Sequence, residues 1–362
     1  MLETGLDPSQ SPQAGPTGPD QDRPLVRPPA PRGGLPRLVW PLLALAILLL
    51  YNLVFTPNFF TIEVRDGHLY GTLTDIIDRA APVTLLALGM TLVIATGGVD
   101  LSVGAIMAIA GTYAAYFIVE QEYGFATVVL LTLGISLLAG AWNGLLVSFV
   151  GIQPIVATLI LMVAGRGIAQ LRSDGQIITF ENPGLTYIAG GYLFGLPFTL
   201  TLVVLTFAAT SLLTRGTAMG LFIEATGNNP SASHHAGLNV RAVKFFVYVF
   251  SGFCAGLAGL VAASDIKAAD ANNAGLYLEL DAILAVVIGG TALAGGRFSL
   301  VGSIVGAFII QTLTTTIFTT RFFGRGIPPQ ATLIIKALVV LVVCLLQSEE
   351  LRRRVLKWRK PR

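Results

Sequence analysis

Ten stretches of the chain are apolar almost without interruption, and short polar segments separate them. They run approximately over 38–55, 81–97, 102–119, 125–149, 154–172, 197–214, 244–264, 281–296, 299–318 and 331–347. A helical run of about 18 apolar residues is long enough to cross about 30 Å of hydrocarbon. Inside lipid every backbone N–H and C=O must find a partner within the protein, so such runs must be helices here. The pattern therefore predicts an all-α membrane protein, a polytopic bundle of about ten transmembrane helices. The fifth and eighth runs are the weakest. Each is short or interrupted by Gly and polar residues, and either reads as a broken helix.

Composition agrees. Mean hydropathy is +0.74, and only 12% of residues are charged, against about 25% in soluble domains. That excludes a water-soluble fold. The 40 glycines cost helix propensity in water, but in lipid small residues let helices approach closely. Cys254 and Cys344 both sit in apolar runs with no Cys-x-x-Cys pair, so neither a disulfide nor a metal is expected. His234 and His235 are adjacent, which makes them a poor pair of metal ligands.

The polar ends set the orientation. Residues 1–37 carry nine of the 19 prolines and read as a disordered cytoplasmic tail rather than a signal peptide. Residues 348–362 form a basic tail suited to anionic lipid headgroups, not nucleic acid. With ten spans both ends share one side. That side collects 15 of the 23 Lys and Arg residues, among them Arg215, Arg241, Lys244 and Arg297. The other side holds Glu63, Asp66, Asp75, Asp78, Glu120 and Glu122, with Arg321 and Arg325 as the local exception. Basic residues stay cytoplasmic, so both termini are expected inside and the bilayer is the bacterial inner membrane.

Four segments hold candidate chemistry. In ATGGVDLSVG the chain turns on Gly97 and Gly98, and Asp100 and Ser102 open the next helix. Asp100 reads as a helix cap and packing anchor, with solute contact as the alternative. Arg166, in AGRGIAQ, lies inside an apolar run, where a charge must face the bundle interior or a wet path. Gln153 and Gln170 bracket that run, and Arg166 and Gln170 share a helix face. Either this face lines a solute path, or Arg166 pairs with a carboxylate and locks two helices. The stretch 264–290 carries Asp265, Asp270, Asn272, Asn273, Tyr277, Glu279 and Asp281 straight into an apolar run. These supply acceptors, donors and one ring for an uncharged polyhydroxylated solute, or simply an exterior loop in which Asp281 caps a helix. The longest cytoplasmic connection, 215–243, contains FIEATGNNPSASHHAGLNV. A short helix there would be a docking knob for a soluble partner. A faint echo also relates Gly97-Gly98 to Gly295-Gly296 at an offset of 198 residues, each pair followed at the same spacing by Val-Gly-x-Ile. Internal repeats are common in transporters.

No G-x-x-x-x-G-K-[ST] loop is present, so the chain does not bind ATP through that motif. No hydrolase or zinc signature is present either. ATGGVDLSVGAIMAIAG resembles the signature of the ribose-type family of ABC sugar importer permeases. GGTALAGGRFSLVGSIVGAF resembles that family's second Gly-rich segment, and FIEATGNNPSASHHAGLNV its coupling region. With AGRGIAQ and ADANNAGLYLELDAILAVVIGG the chain is most similar to the galactofuranose type. The resemblance covers 38–347. It implies the ABC importer permease fold, no catalysis and no cofactor in this chain, and ATP bound by two cytoplasmic ATPase subunits. It also implies a periplasmic sugar-binding protein and a second permease, copy or paralogue. It carries a coupling role onto Glu224, Gly227 and Asn228, and the two Gly-rich segments are expected to act in gating. Alternatives are an ABC permease for amino acids or nucleosides, or an ion-coupled secondary transporter, which would need no coupling loop. A membrane enzyme would need catalytic groups that do not appear.

Overall fold

The computed structural model describes residues 38–65 and 68–319, and beyond them 321–322, 325–326, 331, 333–338 and 341. The expectations for both tails, for Cys344 and for most of the tenth run lie outside the described residues. In chain order the helices are α1 (Val39–Phe55), α2 (Thr72–Ala95), α3 (Val103–Val119), α4 (Phe125–Leu145), α5 (Pro154–Arg172), α6 (Pro183–Gly190), α7 (Phe198–Arg215), α8 (Met219–Asn228), α9 (Pro230–His235), α10 (Val240–Ile266), α11 (Leu278–Ile288) and α12 (Leu300–Thr319). A single π-type turn, Leu146–Val150, extends α4. Short antiparallel strand pairs at 63–70 and 192–197 cover the end opposite α8 and α9.

Among the described residues six helices (α2, α4, α5, α7, α10 and α12) are long and apolar enough to cross a membrane, and α1 and α3 are apolar at 17 residues each. The two runs that read as broken helices have different outcomes. The fifth is one continuous helix, because Gly165 is where the Ala105 and Ile109 side chains of α3 seat. The eighth does break. α11 stops at Ile288, and Gly290 turns the chain at φ +91°. The cause is backbone crossing: a Cβ on Gly289 would strike Gly302 and Ser303 at the start of α12. The chain therefore leaves α11 after 11 residues, too few to span hydrocarbon.

α2, α3 and α10 form the centre. α2 is buried on every side from Val83 to Ala95, as an all-round apolar helix must be. α10 packs on α2, α3 and α4, α12 packs on α2 and α11, and α5 packs on α3. α4, α5 and α7 expose outward leucines, isoleucines and valines, such as Leu130, Leu138, Ile160, Val163 and Leu205. In a bilayer those side chains meet lipid.

The α4–α10 crossing is a seam of small residues. Ser136, Gly140 and Gly144 on α4 face Gly256, Gly252 with Tyr248, and Phe245 on α10, respectively. A Cβ added to Gly252 would lie 2.5 Å from the Ser136 carbonyl and 2.8 Å from the Gly140 Cα. Association in lipid depends on such contact. Gly252→Ala is therefore expected to cost about 1–3 kcal/mol of overpacking, seen as a lower thermal midpoint of the detergent-solubilised protein.

α6 is one element that the apolar pattern misses. The Asn182 side chain accepts from Leu185 N at 3.1 Å and Pro183 occupies the first turn, a standard helix start. Ser264 of α10 pins the helix, accepting from Ala189 N at 2.8 Å and donating to Leu185 O at 2.6 Å.

Candidate functional site at the α8 junction and the cavity

The first part of the site forms where α8 meets the bundle. Gly97 (φ +78°), Gly295 (φ +88°) and Gly296 (φ +91°) all adopt the left-handed region, which glycine tolerates without strain. The two Gly-Gly turns touch. The Gly296 N–H donates to Ala95 O at 2.8 Å, and a Cβ on Gly295 would sit 2.9 Å from Gly97 N and 3.0 Å from Gly227 O. Gly227 itself abuts Ala95 O and Gly296 N, and Asn228 lies against Gly296. The C-terminal turn of α8 thus rests on both turns at once. Glu224, one turn earlier, lines a crevice of about 310 Å³ with Arg297, Ser299 and Gly289.

Directly above lies Asp100, fully buried. Oδ1 accepts from Ser102 N at 3.0 Å and Ser102 Oγ at 2.6 Å, and Oδ2 accepts from Ser251 Oγ at 2.8 Å. Asn143 Nδ2 donates to Ser102 Oγ at 2.7 Å. One carboxylate therefore ties the start of α3 to α4 and α10. Ser102 makes no side-chain cap bond, and the bond to its N–H closes a local turn. Asp100 is an anchor between helices, not a cap. Gly98 is needed because the Tyr248 hydroxyl stands 2.6 Å from where its Cβ would be.

The polar groups read from the sequence divide at the other end. Arg166 locks elements together, but through carbonyls: Nη1 donates to Ala271 O at 3.1 Å and to Ala274 O. A guanidinium offers five donors, and the turn at 271–274 presents its carbonyls toward α5, so no carboxylate contact is needed. Gln170 Nε2 donates to Asn272 Oδ1 at 2.9 Å, and Asn272 Nδ2 reaches Gly175 O. Gln153 stands at the opposite end of α5, about 20 Å away at 1.5 Å per residue, and makes no cap bond. Tyr277 is exposed at φ +65° and Glu279 is buried against Gly104. None of these six lines the main cavity; Asn273 and Asp281 do.

That cavity holds about 750 Å³ and lies between α2, α3, α10, α12 and the segment 268–281. Its volume is in the range of small-molecule sites. Around the mouth stand the exposed Asp75, Arg79 and Asp265. Deeper come Asp78, whose carboxylate accepts from Thr199 Oγ1 at 2.6 Å, and the Asp281–Lys336 ion pair at 2.8 Å. Gln311, Thr314 and Thr315 line one wall from α12, and Ala108, Gly111, Thr112 and Gly259 form the buried floor. The Asn273 side-chain amide, with the backbone N–H groups of Asn273 and Asn272, holds the Asp270 carboxyl below the usual carboxylate range. It is charged at neutral pH. Five aspartates against one Arg and one Lys make the lining net negative, a field that repels anions. Below the floor the first turn of α3, Val103–Ile106, is buried and separates the cavity from the Gly-Gly turns.

A polar cavity within a bundle of apolar helices, with α8 seated on the turns beneath it, is the arrangement of a multi-pass transport permease. The chain belongs to the family described as "branched-chain amino acid transport system / permease component", whose pattern matches residues 72–344. It is 53% identical to the galactofuranose transporter permease protein YtfT of Escherichia coli (strain K12), over 87% of this chain and 90% of that one. It is 39% identical to the fructose import permease protein FruF of Bifidobacterium longum (strain NCC 2705), over 87% and 88%. It is 35% identical to the ribose import permease protein RbsC of Haemophilus influenzae, over 84% and 90%. No solved structure matches the chain. These relatives are ATP-binding cassette importer permeases, in which ATP hydrolysis belongs to a partner subunit.

Proposed function

We propose that the chain conducts a neutral monosaccharide, of the galactofuranose or ribose type, inward across the bacterial inner membrane. Two cytoplasmic ATPase subunits drive it, a periplasmic binding protein delivers the sugar, and a second permease completes the pore. The α8–α9 end then faces the cytoplasm, in keeping with Arg215, Arg241, Lys244 and Arg297 at that end.

The observation that carries this reading is the seating of α8 on both Gly-Gly turns. Force applied to α8 from below reaches α2 through Ala95 and Gly97, and α11–α12 through Gly295 and Gly296. Those are walls of the cavity. Alternating access needs such a link, because the cavity must close at its mouth and open at its floor when nucleotide binds. The family description names amino acids, but the relatives that match almost end to end name sugars. A lining rich in hydroxyl, amide and carboxylate groups fits the latter.

Glu224 lies half-buried on α8 one turn before the junction, and in this reading it contributes to the contact with the ATPase. Glu224→Lys is expected to uncouple the assembly: nucleotide hydrolysis continues, while sugar uptake falls about tenfold or more for the loss of one well-placed contact. The assay is simultaneous measurement of both rates in proteoliposomes. Uptake at the wild-type rate in that variant counts against the coupling assignment.

A further inference from the structure

We propose that Tyr277, near the middle of the membrane, lines the pore that the second permease completes and holds the passing sugar against its ring and hydroxyl. This rests on the sugar reading above. It adds a specificity-determining contact on the side of the 268–281 segment that faces away from the cavity.

The position follows from backbone packing. α10 ends at Ile266 and α11 begins at Leu278, and residues 267–277 join them without a helix. Yet this connection lies deep. Gly275 meets Gly104, and a Cβ on either would strike the other's carbonyl oxygen. Gly104 stands 15 residues before Val119, the last of α3, or about 22 Å along the helix. The hydrocarbon layer is about 30 Å thick, so the turn is re-entrant. Non-helical backbone at such depth is tolerated where protein buries it or where it lines water.

The turn has a packed side and an open side. Asp270, Asn273 and Gly275 line the cavity, and Arg166 holds the turn from α5 through Ala271 O and Ala274 O. Leu276 and Tyr277 stand apart from both, 45% and 51% exposed. The Tyr277 backbone is fixed, since its carbonyl accepts from Leu280 N at 3.1 Å and Asp281 N at 3.3 Å. Its hydroxyl has no hydrogen-bond partner among the described residues.

Lipid does not suit that hydroxyl. Tyrosine belongs at the membrane surface, and an unpaired polar group in hydrocarbon is costly. An aqueous pore suits it. A φ of +65° is one that glycine adopts freely and an aromatic residue rarely does, so the ring is held there against local preference. A tyrosine offers an apolar face and a polar tip. A monosaccharide offers a C–H face and a rim of hydroxyls, so both parts find a match.

The test uses the complete importer (permease, ATPase and binding protein) in proteoliposomes. Tyr277→Gly removes the ring from a backbone that favours glycine, so the thermal midpoint should stay within a few degrees of wild type. Radiolabelled galactose, ribose and fructose are the probes. At saturating loaded binding protein, Y277G is expected to lower the maximal uptake rate about tenfold, with Y277F between the two. Wild-type uptake by Y277G overturns the proposal. Access is read separately in a Cys344→Ala background, where the remaining Cys254 is fully buried. Tyr277→Cys should react quickly with a charged, membrane-impermeant thiosulfonate. The control is Leu138→Cys on α4, 71% exposed and about 20 Å below the outer end of that helix, where lipid covers it. A Tyr277→Cys that reacts no faster than this control overturns the proposal. A wild-type importer that ignores all three sugars but carries leucine overturns the sugar reading instead, and the labelling then still decides whether Tyr277 lines the pore.

Discussion

Gly227→Val is expected to cut ATP-driven uptake about ten- to a hundredfold while the bundle still inserts and folds. The Gly227 Cα stands where any Cβ would run into Ala95 O and Gly296 N. Both are backbone atoms, and one accepts the 2.8 Å bond that the other donates, so neither yields by a rotamer change. α8 must lift off the two turns. Overpacking of this kind costs about 1–3 kcal/mol, and each 1.4 kcal/mol is worth about tenfold in an equilibrium. The cost falls on a contact at the periphery, so the thermal midpoint should move little compared with transport. Gly227→Ala should lie between the two. The measurement is uptake and ATPase stimulation by loaded binding protein in the same vesicles. A valine variant that transports normally would separate α8 from the gating turns.

Asp100→Ala should have the largest effect on stability. Removing the carboxylate leaves three donors, the Ser251 and Ser102 hydroxyls and the Ser102 N–H, without their acceptor in a fully buried place. Each orphaned group costs about 1–3 kcal/mol, and water cannot easily repair the loss inside the bundle. A total of about 3 kcal/mol or more is expected, enough to lower yield and thermal midpoint sharply. Asp100→Asn should be milder, since it keeps an oxygen for Ser102 and puts an amide beside Ser251, whose hydroxyl can turn to accept. Thermal unfolding of detergent-solubilised variants orders the series as wild type, Asn, Ala. An Ala variant as stable as wild type would mean that the α3–α4–α10 knot contributes nothing.

Much of this architecture is legible in the order of residues. Long apolar runs mark helices because lipid leaves the backbone no other option. The Gly-Gly pairs could be picked out by type and spacing, and the family resemblance singled out Glu224, Gly227 and Asn228 in the long connection. That the two pairs touch each other and α8 is visible only in three dimensions, since 198 residues separate them. The eighth run, interrupted by Gly, read as a broken helix and does break after Ile288, while the cause, a crossing with Gly302, lies outside the run itself. Asp75 and Asp78 read as an exterior loop because polar residues open α2, yet Thr72 already begins the helix and its first turns wall the cavity. Gln311, Thr314 and Thr315 did carry a signal: spacings of three and four put them on one face of α12, a polar stripe in an apolar span. Arg166 and Gln170 show the reverse error. Their shared face is real, but its partners are Ala271, Ala274 and Asn272, which it holds in place.

The account stands or falls on whether this chain is a gate worked by another subunit. The direct measurement is solute accumulation in sealed proteoliposomes that contain the permease alone or the permease with its ATPase and loaded binding protein. With the full set and ATP, sugar should accumulate against its gradient, and omission of any component or of ATP should stop it. Accumulation by the permease alone, driven by an ion gradient, would contradict it.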